Sequence, residues 1–197
     1  MTNYFAPVII SGPSGSGKDT LVKAIINKYP QIHDAVGCTT RNKRENEVDG
    51  VDMRFVSKKV FKKMVVDGEF VEYSQYAGNY YGMTFLELNR AHTIPTIFNV
   101  GVFAAQTIKQ YFNESISILV IPPSKEELLK RLGDRGVERY NSAKKDILFA
   151  KSFFEYVIIS KNYMIEEEVA DFENIVLFKE ESYKLKYFVN FIDDFFK

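Results

Sequence analysis

A glycine-rich segment near the start of the chain constrains the fold more than any other feature of the sequence. It joins an apolar, β-branched run at 5–10, which predicts a buried strand, to a pattern at 18–28 that places Leu21 and Ile25 on one helical face. The segment consists of Gly12, Pro13, Ser14, Gly15, Ser16, Gly17, Lys18, Asp19 and Thr20. A strand, a loop with Gly-x4-Gly-Lys spacing and a helix, in that order, predict a phosphate-binding loop.

The chemistry of phosphate binding explains the residues of this loop. Glycines let consecutive main-chain N–H groups turn inward onto phosphate oxygens, and the positive end of the helix dipole lies at the same point. Lys18 adds a full positive charge. We therefore predict that residues 12–20 bind a nucleoside triphosphate.

One position of the loop departs from the usual pattern. A Ser or Thr, whose hydroxyl binds Mg²⁺, normally follows Gly-Lys, whereas this chain has Asp19 and then Thr20. At an effective dielectric of 20, a carboxylate 4 Å from a phosphate charge opposes it by about 4 kcal/mol, so Asp19 needs a cation. We predict that Asp19 is a direct or water-mediated Mg²⁺ ligand; the alternative is a first-turn acid that points away and is favoured by the helix dipole.

Beyond the loop, short β-rich runs alternate with helical segments, an order typical of a parallel sheet with crossover helices. The chain has 197 residues and no internal repeat, which predicts one domain. Glycine and asparagine at 78–82 predict a turn. We predict further strands at 35–38, 69–76, 95–100, 115–121 and 156–159, and helices at 57–67, 103–111, 124–133 and 143–152.

The charge balance argues against binding to polyanions. The chain carries 26 Lys and Arg against 26 Asp and Glu, so it has no global field that would hold nucleic acid or an acidic membrane. Its single cysteine, Cys38, and the lack of a leader or a long apolar run argue against secretion and membrane spanning. We expect a cytoplasmic monomer or homodimer that binds small molecules.

The last part of the chain carries an aromatic stripe. Its residues recur at helical spacing and are Tyr187, Phe188, Phe191, Ile192, Phe195 and Phe196. A helix packed on its own domain fits the neighbouring Asp193 and Asp194 better than a helix on a membrane surface or a partner.

Five further motifs follow the loop in a fixed order. They are Thr39-Thr40-Arg41-x-x-Arg44-x-x-Glu47-x-x-Gly50, Phe70-x-Glu72, Gly78-Asn79-Tyr80-Tyr81-Gly82, Pro122-Pro123-Ser124 and Arg131-Leu132-x-x-Arg135-Gly136. Together with the loop, this set resembles the guanylate kinase family over about residues 5–160.

The resemblance implies an α/β fold, the P-loop three-layer sandwich of nucleoside monophosphate kinases. Such a fold has a five-stranded parallel core sheet, here 4–36 and 84–197, a monophosphate-binding insertion at 37–83 and a mobile lid at 133–142. The implied reaction uses ATP and Mg²⁺ to phosphorylate a nucleoside monophosphate, GMP by family likeness. The implied partners are therefore small-molecule nucleotides.

The same likeness assigns roles to individual side chains. Arg41, Arg44 and Tyr81 would grip the monophosphate, and Glu72 would hydrogen-bond the N1 and N2 edge of guanine. Arginine forks suit phosphate oxygens better than lysine does, which agrees with these roles. The candidate catalytic residues are Lys18, Arg41, Arg131, Arg135 and Arg139, with the last three closing over the triphosphate.

Several residues depart from the family pattern where it recognises guanine and metal. Gly37 and Met83 stand where the family presents hydroxyls to the base, and Met53 replaces a tyrosine that reaches the monophosphate. Asn99 and Gly101 occupy the end of a strand where the family has two aspartates. Because these changes remove hydrogen-bonding groups, we expect weaker selectivity for guanine.

The departures at the strand end and in the loop suggest a linked hypothesis. Asn99 removes a carboxylate while Asp19 adds one, so the metal site would keep its charge with its ligand moved.

Two other functions remain open at this point. The Gly-Lys-Asp variant and Asn99 also resemble ribose 1,5-bisphosphate phosphokinases of the same superfamily, which use another acceptor. A non-catalytic domain that binds phosphopeptides is the third possibility, although Lys18 and the intact glycines argue against it.

Overall fold

The computed structural model describes residues 6–76, 78–133, 136–162 and 164–195. The strands are β1 (Val8–Ser11), β2 (His33–Asp34), β3 (Cys38–Thr39), β4 (Arg54–Phe55), β5 (Phe70–Tyr76), β6 (Asn79–Thr84), β7 (Thr96–Asn99), β8 (Ile116–Ile121) and β9 (Tyr156–Ile159). The helices are α1 (Lys18–Lys28), α2 (Lys58–Val66), α3 (Phe85–Ala91), α4 (Val102–Tyr111), α5 (Lys125–Leu132), α6 (Gly136–Ala150), α7 (Ile165–Phe178) and α8 (Val189–Phe195).

Five parallel strands form the core sheet in the order β2-β7-β1-β8-β9. Every residue of β1 and β8 is buried, as expected of parallel strands with helices on both faces. Ile25 of α1 and Phe172 of α7 belong to the apolar cluster on one face, and Ile108 of α4 and Ile147 of α6 to the cluster on the other. The structure confirms the expected α/β sandwich with a five-stranded parallel core.

A smaller sheet is inserted between β2 and β7 of the core. Its order is β4-β3-β6-β5, with β6 antiparallel to both of its neighbours. Three rings form its own apolar centre, because Phe61 of α2 stacks on Phe70 at 4.4 Å and on Tyr80 at 5.4 Å between ring centroids. The insertion therefore has an apolar cluster of its own, while Met83 of β6 and Val71 of β5 join the main cluster.

The strand order places the glycine-rich loop at a favourable point. The loop follows β1, whose neighbours β7 and β8 come later in the chain and lie on opposite sides of it. In open parallel sheets, ligands bind beyond the carboxyl ends of the strands at such a reversal of strand order. The fold therefore directs the loop residues and the residues that follow β7, β8 and β9 toward one crevice.

Many of the predicted elements are confirmed. Helix α1 and strand β9 have the predicted bounds. Ser57 caps α2 by accepting the Val60 N–H at 3.2 Å, and Ser124 caps α5 by accepting the Glu127 N–H at 3.2 Å.

Three predictions of local structure are wrong. Residues 35–38 are not one strand, because β2 ends at Asp34 in the core sheet and β3 begins at Cys38 in the insertion. Residues 79–82 are not a turn but part of β6, which pairs with β5 and β3. The helix predicted at 143–152 already begins at Gly136, so most of the predicted lid is helical.

The aromatic tail packs on its own domain, as predicted. In α8, Ile192 is fully buried in the main apolar cluster, and Phe195 belongs to a smaller cluster with Leu132 of α5 and Ala143 of α6. Phe196 lies outside the described residues. In the described parts of the chain, no helix combines the length and the apolar character that crossing a membrane requires.

Candidate functional site

The glycines of the loop adopt a backbone that other residues would distort. Gly15 and Gly17 have φ angles of 84° and 95°, in the left-handed region. A β carbon at Gly12 would lie 2.2 Å from the main-chain oxygen of Val120. Gly17, at the N-cap of α1, has no side chain to cap the helix, and the Lys18 N–H donates weakly to Ser16 Oγ at 3.4 Å. The N-terminus of a helix in this position favours an anion.

Lys18, Asp19 and Asn99 form a hydrogen-bonded group beside the loop. One Asp19 oxygen accepts from the Lys18 ammonium and from the Asn99 side-chain amide, each at 3.0 Å. Desolvation by itself raises the pKa of Asp19, but the Lys18 charge and the bond from Asn99 outweigh it and hold the pKa below its usual range. Asp19 is therefore a carboxylate at neutral pH, directed toward the end of β7.

The donor atoms at this point fit Mg²⁺ held jointly with a nucleotide. The Asn99 Oδ1 atom is buried and has no hydrogen-bond partner among the described residues. None of those residues forms a group of three or more His, Cys, Asp or Glu that could hold a metal ion alone. Mg²⁺ commonly takes one or two carboxylates and completes its shell with phosphate and water oxygens, so one carboxylate and one amide oxygen suffice.

Arg131 lies behind the loop and is fully engaged by protein acceptors. Its Nη1 donates to the carbonyls of Gly15 at 3.3 Å and Ser16 at 3.1 Å, and to Ser160 Oγ at 3.2 Å. Its Nη2 donates to Ser160 O and Asn162 Oδ1, and its Nε to Glu127. These contacts hold the Arg131 guanidinium against the main chain of the loop.

Two further arginines, Arg135 and Arg139, lie in the predicted lid. Arg139 of α6 reaches the loop and donates from Nη1 to Ser14 Oγ at 3.0 Å. Arg135 lies outside the described residues. Asp146, two turns further along α6, has a pKa raised by desolvation and partly offset by the nearby Lys18 charge. Helix α6 thus brings both a cation and an acid to the phosphate loop.

A cleft of about 520 Å³ opens beside the loop. Its walls include loop residues 15–20, Arg131 and the segment that follows β9, with Ser160, Lys161, Asn162, Ile165 and Glu168. The sequence motifs do not include these residues after β9. Their position beyond the carboxyl end of a core strand was the available signal, because ligands bind at that edge of a parallel sheet.

Arg41 is held on the insertion by Glu47. Its Nη1 and Nη2 donate to the two carboxylate oxygens at 2.6 and 2.5 Å, and both side chains are largely buried. The Arg41 hydrogen bonds lower the pKa of Glu47 to about 2. Arg44 is two-thirds exposed and lies 3.9 Å from the same carboxylate, so its guanidinium is accessible to a phosphate.

Hydrogen bonds between β3 and β6 bring Arg41 next to Tyr81. Thr39 Oγ1 donates to the Tyr80 carbonyl at 2.9 Å, and the Tyr80 N–H donates to Thr40 Oγ1 at 2.9 Å. The pairing places Tyr81 opposite Thr39, two residues before Arg41. Two motifs about 40 residues apart in the sequence therefore lie side by side.

Glu72 lies on β5 opposite Met83 of β6. Desolvation raises its pKa to about 7, with the Met83 N–H bond acting in the opposite direction.

On the other side of β6, a β carbon at Gly37 would lie 3.1 Å from the Met53 methyl carbon. Two of the departures from the family pattern are thus packed against each other, with Met53 filling the space that Gly37 leaves.

Comparison with known proteins identifies relatives across most of the chain. The family model described as Guanylate kinase matches residues 4–179. A guanylate kinase of Clostridium perfringens is 35% identical over 179 residues, covering 86% of this chain and 82% of that protein. A guanylate kinase of Prochlorococcus marinus is 34% identical over 184 residues, covering 89% and 99%. The crystal structure of guanylate kinase from Anaplasma phagocytophilum matches with a TM-score of 0.74 and 26% identity, covering 92% of this chain and 89% of that one.

Proposed function

Because the chain belongs to the guanylate kinase family, we propose that it transfers the γ-phosphoryl group of ATP to the 5′-phosphate of GMP, giving ADP and GDP. One observation carries the proposal. The glycine-rich loop at the start of α1 and the Arg41–Arg44–Tyr81 group are two separate sets of hydrogen-bond donors and cations on one short chain. A donor and an acceptor that both carry phosphate need such a pair.

The donor would be bound by the loop amides and Lys18, with Arg139 of α6 above Ser14. Phosphoryl transfer needs no covalent intermediate on the enzyme, because catalysis consists of positioning and of stabilising charge on the transferring group. On the arrival of a triphosphate, the Lys18 ammonium would exchange part of its contact with Asp19 for phosphate oxygens.

Mg²⁺ would be held by Asp19, with the Asn99 side chain beside it. When bound, the ion neutralises charge on the phosphate oxygens. The chain itself orients the carboxylate through the two hydrogen bonds that Asp19 accepts from Lys18 and Asn99.

The acceptor phosphate would bind Arg41, Arg44 and Tyr81, and the base would bind Glu72 as a carboxylate. Glu47 keeps the Arg41 guanidinium in place before the acceptor arrives, and the exposed Arg44 completes the phosphate contact. We propose that the insertion at 37–83 carries the acceptor and that the segment at 133–142 closes over the donor. Closure would exclude water, which otherwise competes as an acceptor.

A panel of acceptors tests the proposal. Release of ADP from ATP is measured with GMP, AMP and ribose 1,5-bisphosphate, with and without Mg²⁺. The expected result is Mg²⁺-dependent turnover that is fastest with GMP. Turnover with ribose 1,5-bisphosphate alone would show that this protein is a kinase of that sugar phosphate. Binding of a phosphopeptide without any ATP binding would indicate a non-catalytic module.

A further inference from the structure

A chain of buried contacts connects the phosphate loop to helix α7, and neither Ser160 nor Glu168 belongs to the site motifs identified in the sequence. We propose that Ser160 and Glu168 are positioning residues for the donor nucleotide, which act by holding Arg131 and the segment after β9 against the loop main chain. This inference rests on the proposed function, because the nucleotide that they would position is ATP.

The first contact is between Arg131 and the loop. The Arg131 Nη1 group donates to the carbonyls of both Gly15 and Ser16. A trans peptide group directs its C=O and its N–H in opposite directions. When the Ser16 carbonyl is held by Arg131, the Gly17 N–H must therefore point away from that guanidinium, as an anion-binding donor requires.

The second contact is between Ser160 and both of these partners. Ser160 is 4% exposed, and its hydroxyl and carbonyl accept from Arg131 at 3.2 and 3.1 Å. Its hydroxyl is also close to the loop, since a β carbon on Gly17 would lie 2.3 Å from Ser160 Oγ. Ser160 therefore sets how closely the loop and the end of β9 approach each other.

The third contact is made by Glu168. The residue is 3% exposed, and its carboxylate accepts the Lys161 N–H, next to Ser160 in the chain, at 2.8 Å. Neighbouring Glu166 and Glu167 are exposed on the same turn of α7. A buried carboxylate is retained at a cost in desolvation unless it is paired. Here it compensates the nearby Arg131 charge and fixes the main chain of the cleft wall.

The test compares four variants with the wild type. Ser160→Ala, Glu168→Ala and Glu168→Gln each weaken the chain of contacts, and Glu166→Ala is the matched control on the same helix turn. Binding of ATP without acceptor and of GMP without donor is measured by calorimetry, and steady-state kinetics give KM for each substrate separately from kcat.

We expect ATP affinity to fall about tenfold in Ser160→Ala and Glu168→Ala, the loss of roughly one hydrogen bond to a charged group. Glu168→Gln, which keeps a carbonyl acceptor for the Lys161 N–H, should recover part of this loss. GMP affinity should stay within about twofold of the wild type in every variant, because the acceptor group lies on the insertion. Glu166→Ala should behave as the wild type.

Two results would overturn the inference. One is unchanged ATP affinity in both Ser160→Ala and Glu168→Ala, while the wild type binds ATP. The other is an equal loss of ATP and GMP affinity together with a lowered melting temperature, which would show general destabilisation. If Glu168→Ala does not fold, Ser160→Ala and Glu168→Gln decide. Failure of the wild type to bind ATP would instead overturn the proposed function.

Discussion

The side-chain amide of Asn99 donates a hydrogen bond to the Asp19 carboxylate across 3.0 Å. This contact joins the carboxyl end of β7 to the first turn of α1. The two residues are 80 positions apart, and each departs from the family pattern. Their contact places the gained carboxylate beside the position of the lost one, which supports the hypothesis that the metal ligand has moved from the strand to the helix.

The pair predicts a compensating double substitution. Asp19→Ser alone should abolish Mg²⁺-dependent turnover, because neither position then carries a carboxylate. It should also weaken Mg²⁺-dependent ATP binding by at least about 100-fold. Loss of a residue that only supports a metal ligand costs up to about 100-fold in affinity, and loss of the ligand itself should cost at least as much. Asp19→Ser combined with Asn99→Asp should restore part of both. Mg²⁺ titrations followed by calorimetry and by ADP release measure these effects, and an unchanged Asp19→Ser enzyme would refute the idea.

Glu72 predicts a pH dependence of acceptor binding. Its pKa of about 7 means that it is increasingly protonated below neutral pH, when it loses acceptor capacity for the donors on guanine. The KM for GMP should therefore rise as the pH falls through 7, and GMP binding near pH 7 should release protons. Calorimetry in buffers of different ionisation enthalpy measures that release.

The matched variant for this prediction is Glu72→Gln. It should raise the KM for GMP by about 10- to 100-fold, the loss of a hydrogen bond to a charged group, and remove the proton release. A pH profile of Glu72→Gln that matches the wild type would assign the titration to another group.

Gly12 and Gly101 predict opposite responses to the same substitution. Gly12→Ala should destabilise the protein by about 3 kcal/mol or more, because its β carbon would overlap a main-chain oxygen that cannot move without displacing β8. Gly101→Ala meets nothing within 4 Å and should cost under about 1 kcal/mol, for a poorer N-cap of α4. Denaturant unfolding measures both, and equal losses would contradict the close approach at Gly12.

The lowered pKa of Glu47 predicts that its contribution to the free energy of unfolding depends on pH. Its pKa is about 2 in the folded protein and about 4.5 in the unfolded chain, so its contribution is present above pH 4.5 and is lost as the pH falls through 2. Glu47→Gln should therefore be less stable than the wild type at pH 7, and the difference should shrink toward pH 2. Exposed Glu45 is the control, since Glu45→Gln should change stability by less than about 0.5 kcal/mol.

Gly37 and Met53 predict a coupled effect on the acceptor base. Gly37→Ser adds the hydroxyl that the family presents there, but its β carbon would meet the Met53 methyl group at 3.1 Å. Selectivity for GMP over AMP should therefore increase more in Gly37→Ser with Met53→Ala than the two single variants predict together. Additive effects in a double-mutant cycle would show that the two positions are independent.

The candidate site could be predicted only in part, as Arg131 and Tyr81 illustrate. Sequence motifs selected both, but the direction of the Arg131 guanidinium depends on Ser160 and Asn162, which lie about 30 residues away in the chain. Residues 78–82 were predicted as a turn from glycine and asparagine, whereas pairing with β3 and β5 makes residues 79–82 part of a strand. Local propensity is weak compared with such pairing.

The sequence by itself determined the phosphate loop, α1, β9 and the parallel α/β core. Those features depend on glycine sterics and on the period of apolar residues, which act over a few neighbouring positions. Only the tertiary structure decided that Asn99 contacts Asp19, that Met53 fills the space at Gly37 and that Ser160 contacts Arg131. The reason is physical: a buried polar group must find a partner wherever the fold places one, and distance along the chain does not indicate which partner that is.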